Sequence, residues 1–165
     1  MDKETWKTDR CVIKPFARKD IFEAIRLFTD EEVRRYLGGT LSKENARKRL
    51  NAYFQQAETQ YYTVRLSDTA SFIGMLELAF YHDHIQTELS YYFLPEYWGH
   101  GYAYEAMSAV LKACREDVAI DHVVSETQAE NHSSCRMLEK LGYHKVKERI
   151  RFQAKQAVYE IRWKS

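Results

Sequence analysis

Glu88-Leu89-Ser90-Tyr91-Tyr92-Phe93-Leu94-Pro95-Glu96-Tyr97-Trp98-Gly99-His100-Gly101-Tyr102-Ala103-Tyr104-Glu105-Ala106 changes its structural period partway along. Up to Leu94 it is rich in aromatic and apolar residues, as strands are, and Pro95 then ends the run because it has no N–H for a ladder. From Tyr102 onward Ala103, Ala106, Met107, Val110, Leu111 and Cys114 recur on one stripe of a helix. Between strand and helix lies Trp98-Gly99-His100-Gly101. Glycines there let main chain approach a ligand closely, and the free N–H groups of a helix start attract an anion. Phosphate binding follows physically, although G-x-G alone is a weak signal and a tight structural turn needs glycine too. With no third glycine and no Gly-Lys-Ser/Thr, neither a dinucleotide fingerprint nor a P-loop is present.

Upstream, residues 11–14 form a short strand stopped by Pro15. Ile21, Phe22, Ile25 and Phe28 then recur at helical spacing, and Asp30 can cap a second short helix carrying Val33 and Leu37, which Gly38-Gly39 ends. Ser42 is a good N-cap for a third helix with Ala46, Leu50, Tyr53, Phe54 and Ala57 on one face. The period then changes: strands are expected over 61–66, 72–80 and 84–94, with turns at Ser67-Asp68 and around Asp83, as an antiparallel meander. Downstream come a strand over 122–127, a helix opened by Asn131 and ended by Gly142, and closing strands over about 145–152 and 158–163. The order predicts a mixed α/β fold, a mostly antiparallel central sheet flanked by helices, in a single domain over 1–165.

Composition narrows the function. The chain has 165 residues, 25 basic and 24 acidic, and 45% are hydrophobic, enough for a sizeable core and against disorder. A net charge of +1 argues against nucleic acid as partner. No apolar run reaches the roughly 20 residues of a membrane span, and the first residues lack a signal-peptide core. Cys11, Cys114 and Cys135 stand far apart, which fits a reducing cytoplasm better than disulfides or zinc, and the histidines show no metal-ligand spacing.

The stretch 88–106 resembles the coenzyme A pyrophosphate motif of the GNAT superfamily of N-acetyltransferases, most closely its ribosomal-protein N-terminal acetyltransferase branch. A second signature, Asn131-His132-Ser133-Ser134-Cys135-Arg136-Met137-Leu138-Glu139-Lys140-Leu141-Gly142-Tyr143, resembles that branch's Asn-x-x-Ser…Leu-Glu-Lys-Leu-Gly-Phe helix. The resemblance covers nearly the whole chain and implies the acyl-CoA N-acyltransferase fold with acetyl-CoA as cosubstrate and no metal. It assigns the pyrophosphate to Trp98, Gly99, His100, Gly101, Tyr102 and Ala103, and pairs the main chain of Phe93 and Leu94 with the pantetheine arm as an added strand. The superfamily has Gln or Arg where Trp98 stands, but the branch commonly has tryptophan. His100 replaces a common lysine or arginine, leaving the cradle to backbone N–H groups. Asn131 is an excellent helix cap and, by resemblance, a cofactor contact. Many relatives carry at Leu138 a tyrosine that protonates the departing thiolate; leucine cannot, so Ser134 inherits that role, against a plainer one as a small packing residue.

Two acids are candidate bases. Glu77 shares a strand face with Ile73 and Met75, an apolar row on which burial would raise its pKa; the plainer reading is a solvent-covered face. Glu88 shares one with Ser90 and Tyr92 and matches the branch's strand-opening glutamate, or serves a structural role. Of the tyrosines, Tyr91, Tyr92 and Tyr102 lie nearest the expected cleft. The expected reaction is direct acetyl transfer to an amine without a covalent enzyme intermediate; Cys135 lacks an activating His–acid pair. A side-chain amine has a pKa of about 10.4 and an α-amine about 8, so weak evidence for a base favours a protein N-terminus or a weakly basic small amine. The rivals are a polyamine or antibiotic acetyltransferase and a non-catalytic acetyl-CoA sensor or partner-binding module. A homodimer is a further expectation.

Overall fold

The computed structural model describes residues 4–82 and 85–163. Its strands are β1 (Trp6–Lys7), β2 (Cys11–Pro15), β3 (Gln60–Leu66), β4 (Phe72–Phe80), β5 (Thr87–Phe93), β6 (His122–Gln128), β7 (His144–Arg151) and β8 (Ala154–Arg162). They form one sheet in the order β1-β2-β3-β4-β5-β6-β8-β7. Among the described residues only β5 and β6 run parallel; the other neighbours are antiparallel. The helices are α1 (Ile21–Ala24), α2 (Arg26–Thr29), α3 (Glu31–Arg34), α4 (Lys43–Ala52), α5 (Tyr102–Glu116) and α6 (His132–Lys140).

Alternation along the central strands feeds two cores. Leu76, Leu89 and Phe93 point to α5 and α6, where the expected stripe Ala106, Met107, Val110, Leu111 and Cys114 is buried. Met75 and Leu94 point the other way, to Leu27, Phe28 and Leu50 from α2 and α4. Each aliphatic side chain removed from water contributes about 1.5–3 kcal/mol, so both layers are fastened along the sheet. The capping residues act as expected: the Asp30 carboxylate accepts from the N–H of Glu32 and Val33 at 3.0 Å, and the Ser42 hydroxyl from that of Asn45 at 3.1 Å. Among the described residues no helix is long and apolar enough to cross a membrane.

Several boundaries differ from expectation. Phe22 is exposed, because the inward face of α1 and α2 is Ala24, Ile25, Leu27 and Phe28. Leu37 lies past the end of α3. α4 stops at Ala52, and residues 53–55 tighten into a 3₁₀ turn that leaves Ala57 exposed beyond it. Tertiary aromatic packing overrides the helical period there: Tyr53 stacks on Tyr61 of β3 at 3.7 Å and Phe54 on Phe16 at 5.4 Å. β5 begins at Thr87 rather than 84, and the expected turn at Asp83 and His84 lies outside the described residues. β8 begins at Ala154 rather than 158, since the β7–β8 turn is only Phe152 and Gln153, both at positive φ. β1, two residues long, carries too little pattern to be foreseen.

Candidate active site

The parallel pairing of β5 with β6 covers only Thr87↔Val123 and Glu88↔Val124. Beyond it β5 stays with β4 to Phe93, and β6 stays with β8 to Gln128. The two strands therefore part. Leu94 donates its N–H to the Ile73 carbonyl at 3.0 Å, so even-numbered residues of β5 turn their main chain to β4 and Leu89, Tyr91 and Phe93 turn theirs to the gap. Ser125 Oγ donates to the Leu89 carbonyl at 2.7 Å, and the Trp98 indole N–H to that of Phe93 at 2.8 Å. The N–H of Phe93 and both main-chain groups of Tyr91 remain turned into the gap, a template on which an extended ligand can pair. Leu94 does not fit its expected part: its N–H serves Ile73 and its C=O accepts from Tyr97 at 3.0 Å. Tyr91, not Leu94, turns its main chain to the gap. Trp98 clips the glycine turn to the strand end.

Gly99 and Gly101 lie at φ of +76° and +80°, a conformation costing an L-residue about 1–2 kcal/mol. Successive N–H groups in such a turn converge on one side and form an anion-binding concavity. Among the described residues no hydrogen bond uses the N–H of Gly99, His100 or Gly101. His100 is exposed, while Tyr102 and Ala103 are half-buried and pack against the core. The turn is held from outside by Arg10, between β1 and β2. Arg10 Nη1 donates to the His100 carbonyl at 2.9 Å and its Nε to Glu105 Oε2 at 2.7 Å. Glu105 Oε1 also accepts from the Arg10 main-chain N–H at 2.8 Å and Thr8 Oγ1 at 2.6 Å. Burial raises the Glu105 pKa, but the bonds from Thr8 and Arg10 outweigh this and hold it below the ordinary range. No spacing in the sequence ties Arg10 to this turn.

On the α6 side, Asn131 Oδ1 accepts from the Ser134 N–H at 3.2 Å, which is the capping role. Ser134 is buried and its hydroxyl bonds the Tyr91 hydroxyl. Leu138, one turn on, is fully buried in the core. Burial pushes the Tyr91 phenol up to about 12, so it stays protonated at neutral pH. Strand parity is the signal that separates the adjacent tyrosines, sending Tyr91 to α6 and Tyr92 to the opposite face.

That opposite face holds the acids. Glu77 pairs with Ser90 and Ala79 with Glu88, so the two carboxylates, expected in separate rows, lie on one face two residues apart. The surroundings of Glu77 are tyrosines rather than apolar side chains: Tyr92 donates to Oε2 at 3.3 Å and Tyr61 is its cross-strand partner. Burial raises its pKa, moderated by Tyr92 and the charge of Arg49. Glu88 is pushed up to about 7, by burial first and then by the charges of Glu126 and Glu77. Glu126 accepts from Tyr81 Oη and Arg149 Nη2, each at 2.6 Å, with Arg151 Nη1 at 3.5 Å. Two guanidinium groups thus answer Glu126, while Glu88 has no hydrogen bond or ion pair among the described residues. The alternating Lys147, Arg149 and Arg151 of β7 were the visible trace of this network.

The profile of the family described as "Acetyltransferase (GNAT) domain" matches residues 10–144. An uncharacterized N-acetyltransferase of Bacillus subtilis (strain 168), YoaA, is 26% identical over 145 residues, spanning 84% of this chain and 82% of that one. The crystal structure of a GNAT-family acetyltransferase from Bacillus anthracis superposes with a TM-score of 0.85 at 25% identity, covering 96% of this chain and 98% of its own. Two more distant structures share the fold. One is a Salmonella typhimurium acetyl transferase that modifies the N-terminal serine of ribosomal protein L7/L12, with a TM-score of 0.82 at 12% identity over 97% and 99% of the chains. The other is a Vibrio cholerae spermidine N-acetyltransferase in complex with CoA and spermine, with a TM-score of 0.80 at 15% identity over 94% and 96%. A sheet split between its one parallel pair, a glycine turn opening the helix that follows, and a match over most of the length agree: the chain belongs to the GNAT family of acetyltransferases and is an acetyl-CoA-dependent N-acetyltransferase.

Proposed function

We propose that the acceptor is the α-amine of a protein N-terminus or a small, weakly basic amine, handled by a single acetyltransferase domain. The observation that carries this reading is the Glu88 carboxyl, raised to about 7 by burial and the charges of Glu126 and Glu77 and without a hydrogen bond or ion pair among the described residues. An α-ammonium of pKa about 8 lies near that value, whereas a lysine-like ammonium at about 10.4 lies far above it. Glu88 takes the ammonium proton, the free amine attacks the thioester carbonyl carbon, and the C–S bond breaks with its electron pair on sulfur. The proton that the nitrogen sheds on becoming an amide reaches the thiolate through the Tyr91–Ser134 hydroxyl pair. The Tyr91 N–H, turned into the gap, is the donor for the oxygen that gains charge. Residues 98–103 hold the pyrophosphate, and the strand edge of Tyr91 and Phe93 holds the pantetheine arm.

Ser134 and Tyr91 together meet the departing sulfur. Ser134→Ala should lower kcat by about a hundredfold with little change in acetyl-CoA affinity. Tyr91→Phe should reproduce much of that loss, since either variant breaks the hydroxyl pair. Equal turnover at saturating acetyl-CoA in both would return these hydroxyls to packing.

The placement of Glu77 and Glu88 on one face favours a second reading, a polyamine, whose charges they would attract. Thiol release from acetyl-CoA against peptides, polyamines and aminoglycosides decides. Peptides or weakly basic amines should give the highest kcat/KM at pH 7, and polyamines in first place would overturn the α-amine assignment.

A further inference from the structure

We infer that Arg10 is a positioning residue for acetyl-CoA: by holding the His100–Gly101 peptide it aims the Gly101 N–H at the pyrophosphate. This rests on the reading that the turn at 98–101 holds that group. A trans peptide is planar, with its C=O and N–H pointing in opposite directions. The His100 carbonyl is drawn to Arg10 Nη1 at 2.9 Å, so the N–H of the same peptide, that of Gly101, must face away from Arg10. Gly101, at φ +80°, has no side chain to hold that orientation, and glycine main chain rotates most freely. The Gly101 carbonyl is held by the Glu105 N–H at 3.0 Å, and the peptide before it is held by Arg10.

Arg10 is itself held on three sides. Its Nε donates to Glu105, its main-chain N–H donates to the other oxygen of the same carboxylate, and its guanidinium lies 4.5 Å from the centre of the Tyr102 ring. A planar guanidinium can serve Glu105 and the His100 carbonyl together from one rigid fork; an ammonium cannot reproduce that geometry. Because Glu105 already answers the charge, Arg10 acts on the phosphate through orientation rather than net charge. This separates it from the lysine or arginine that His100 replaces.

The test compares acetyl-CoA with S-acetyl-pantetheine, which has the same thioester and no pyrophosphate. Wild-type enzyme should show a much lower KM for acetyl-CoA. Arg10→Met should raise that KM about tenfold, the effect of one well-directed hydrogen bond lost, with kcat retained and the KM for S-acetyl-pantetheine unmoved. Arg10→Lys should behave like Arg10→Met. Activity on S-acetyl-pantetheine also reports that each variant is folded. Full rescue by lysine would show that charge, not orientation, matters and would overturn the inference, as would an equal loss on both substrates. A wild-type enzyme indifferent to the pyrophosphate would instead refute the placement of that group at 98–101.

Discussion

Valine at position 101 should abolish acetyl-CoA binding, with no calorimetric heat and no rise in melting temperature at millimolar cosubstrate. Wild-type protein at a hundred times Kd should gain about 2.7 kcal/mol under the same conditions. Two effects act at once. A β-branched residue at φ +80° is a steric outlier, so the main chain is driven out of the conformation that aligns the N–H groups. If the main chain stays, the new Cβ lies 3.4 Å from Arg10 Nη2, and the methyl groups beyond it press on the guanidinium that holds the His100 carbonyl. Either outcome turns the Gly101 N–H away from an anion. Gly99→Ala makes a useful comparison, since its Cβ meets nothing within 4 Å and only the backbone cost remains. Normal binding by Gly101→Val would mean that the phosphates sit elsewhere.

What could be read without coordinates depended on how local the physics is. The stripe of α5 and the caps Asp30, Ser42 and Asn131 use residues within a few positions of one another, and each was legible. The end of α4 was not, because the Tyr53 ring answers to Tyr61 on a strand. The site shows the same division. The glycine turn is local, but the gap beside it exists only because β5 and β6 stop pairing after Glu88↔Val124, a matter of strand register. Arg10 reaches Glu105 across 95 positions, and no periodicity encodes that contact. Tyr91 and Tyr92 look alike in sequence, yet one bonds Ser134 and the other Glu77. Glu88 was visible as an acid on a strand. Its lack of an ion pair among the described residues goes with Arg149 and Arg151 pairing with Glu126, so that their charges only moderate its raised pKa.

Glu88→Gln is the sharpest consequence of that arrangement, because it should damage catalysis and strengthen the fold together. In the wild type, activity should rise with pH through about 7 as the carboxyl loses its proton and can act as base. Glutamine keeps the shape but takes no proton, so that limb should disappear and turnover on a peptide α-amine should fall by about a hundredfold. Stability runs the other way. Burial and the neighbouring charges of Glu126 and Glu77 make the folded protein hold this proton more tightly than the unfolded chain does. The associated stability is complete below the ordinary carboxylate pKa of 4.5 and is lost as pH rises through about 7. At pH 8 the variant should therefore be the more stable protein by up to about 3 kcal/mol, and at pH 4 the two should converge. Glu77→Gln separates the two acids, since it leaves Glu88 in place and should keep the limb near 7. If Glu88→Gln retained both the limb and the rate while gaining stability, the carboxylate would be a buried charge with no part in the chemistry. Proton removal would then fall to water, which an α-amine of pKa about 8 tolerates far better than a side-chain amine.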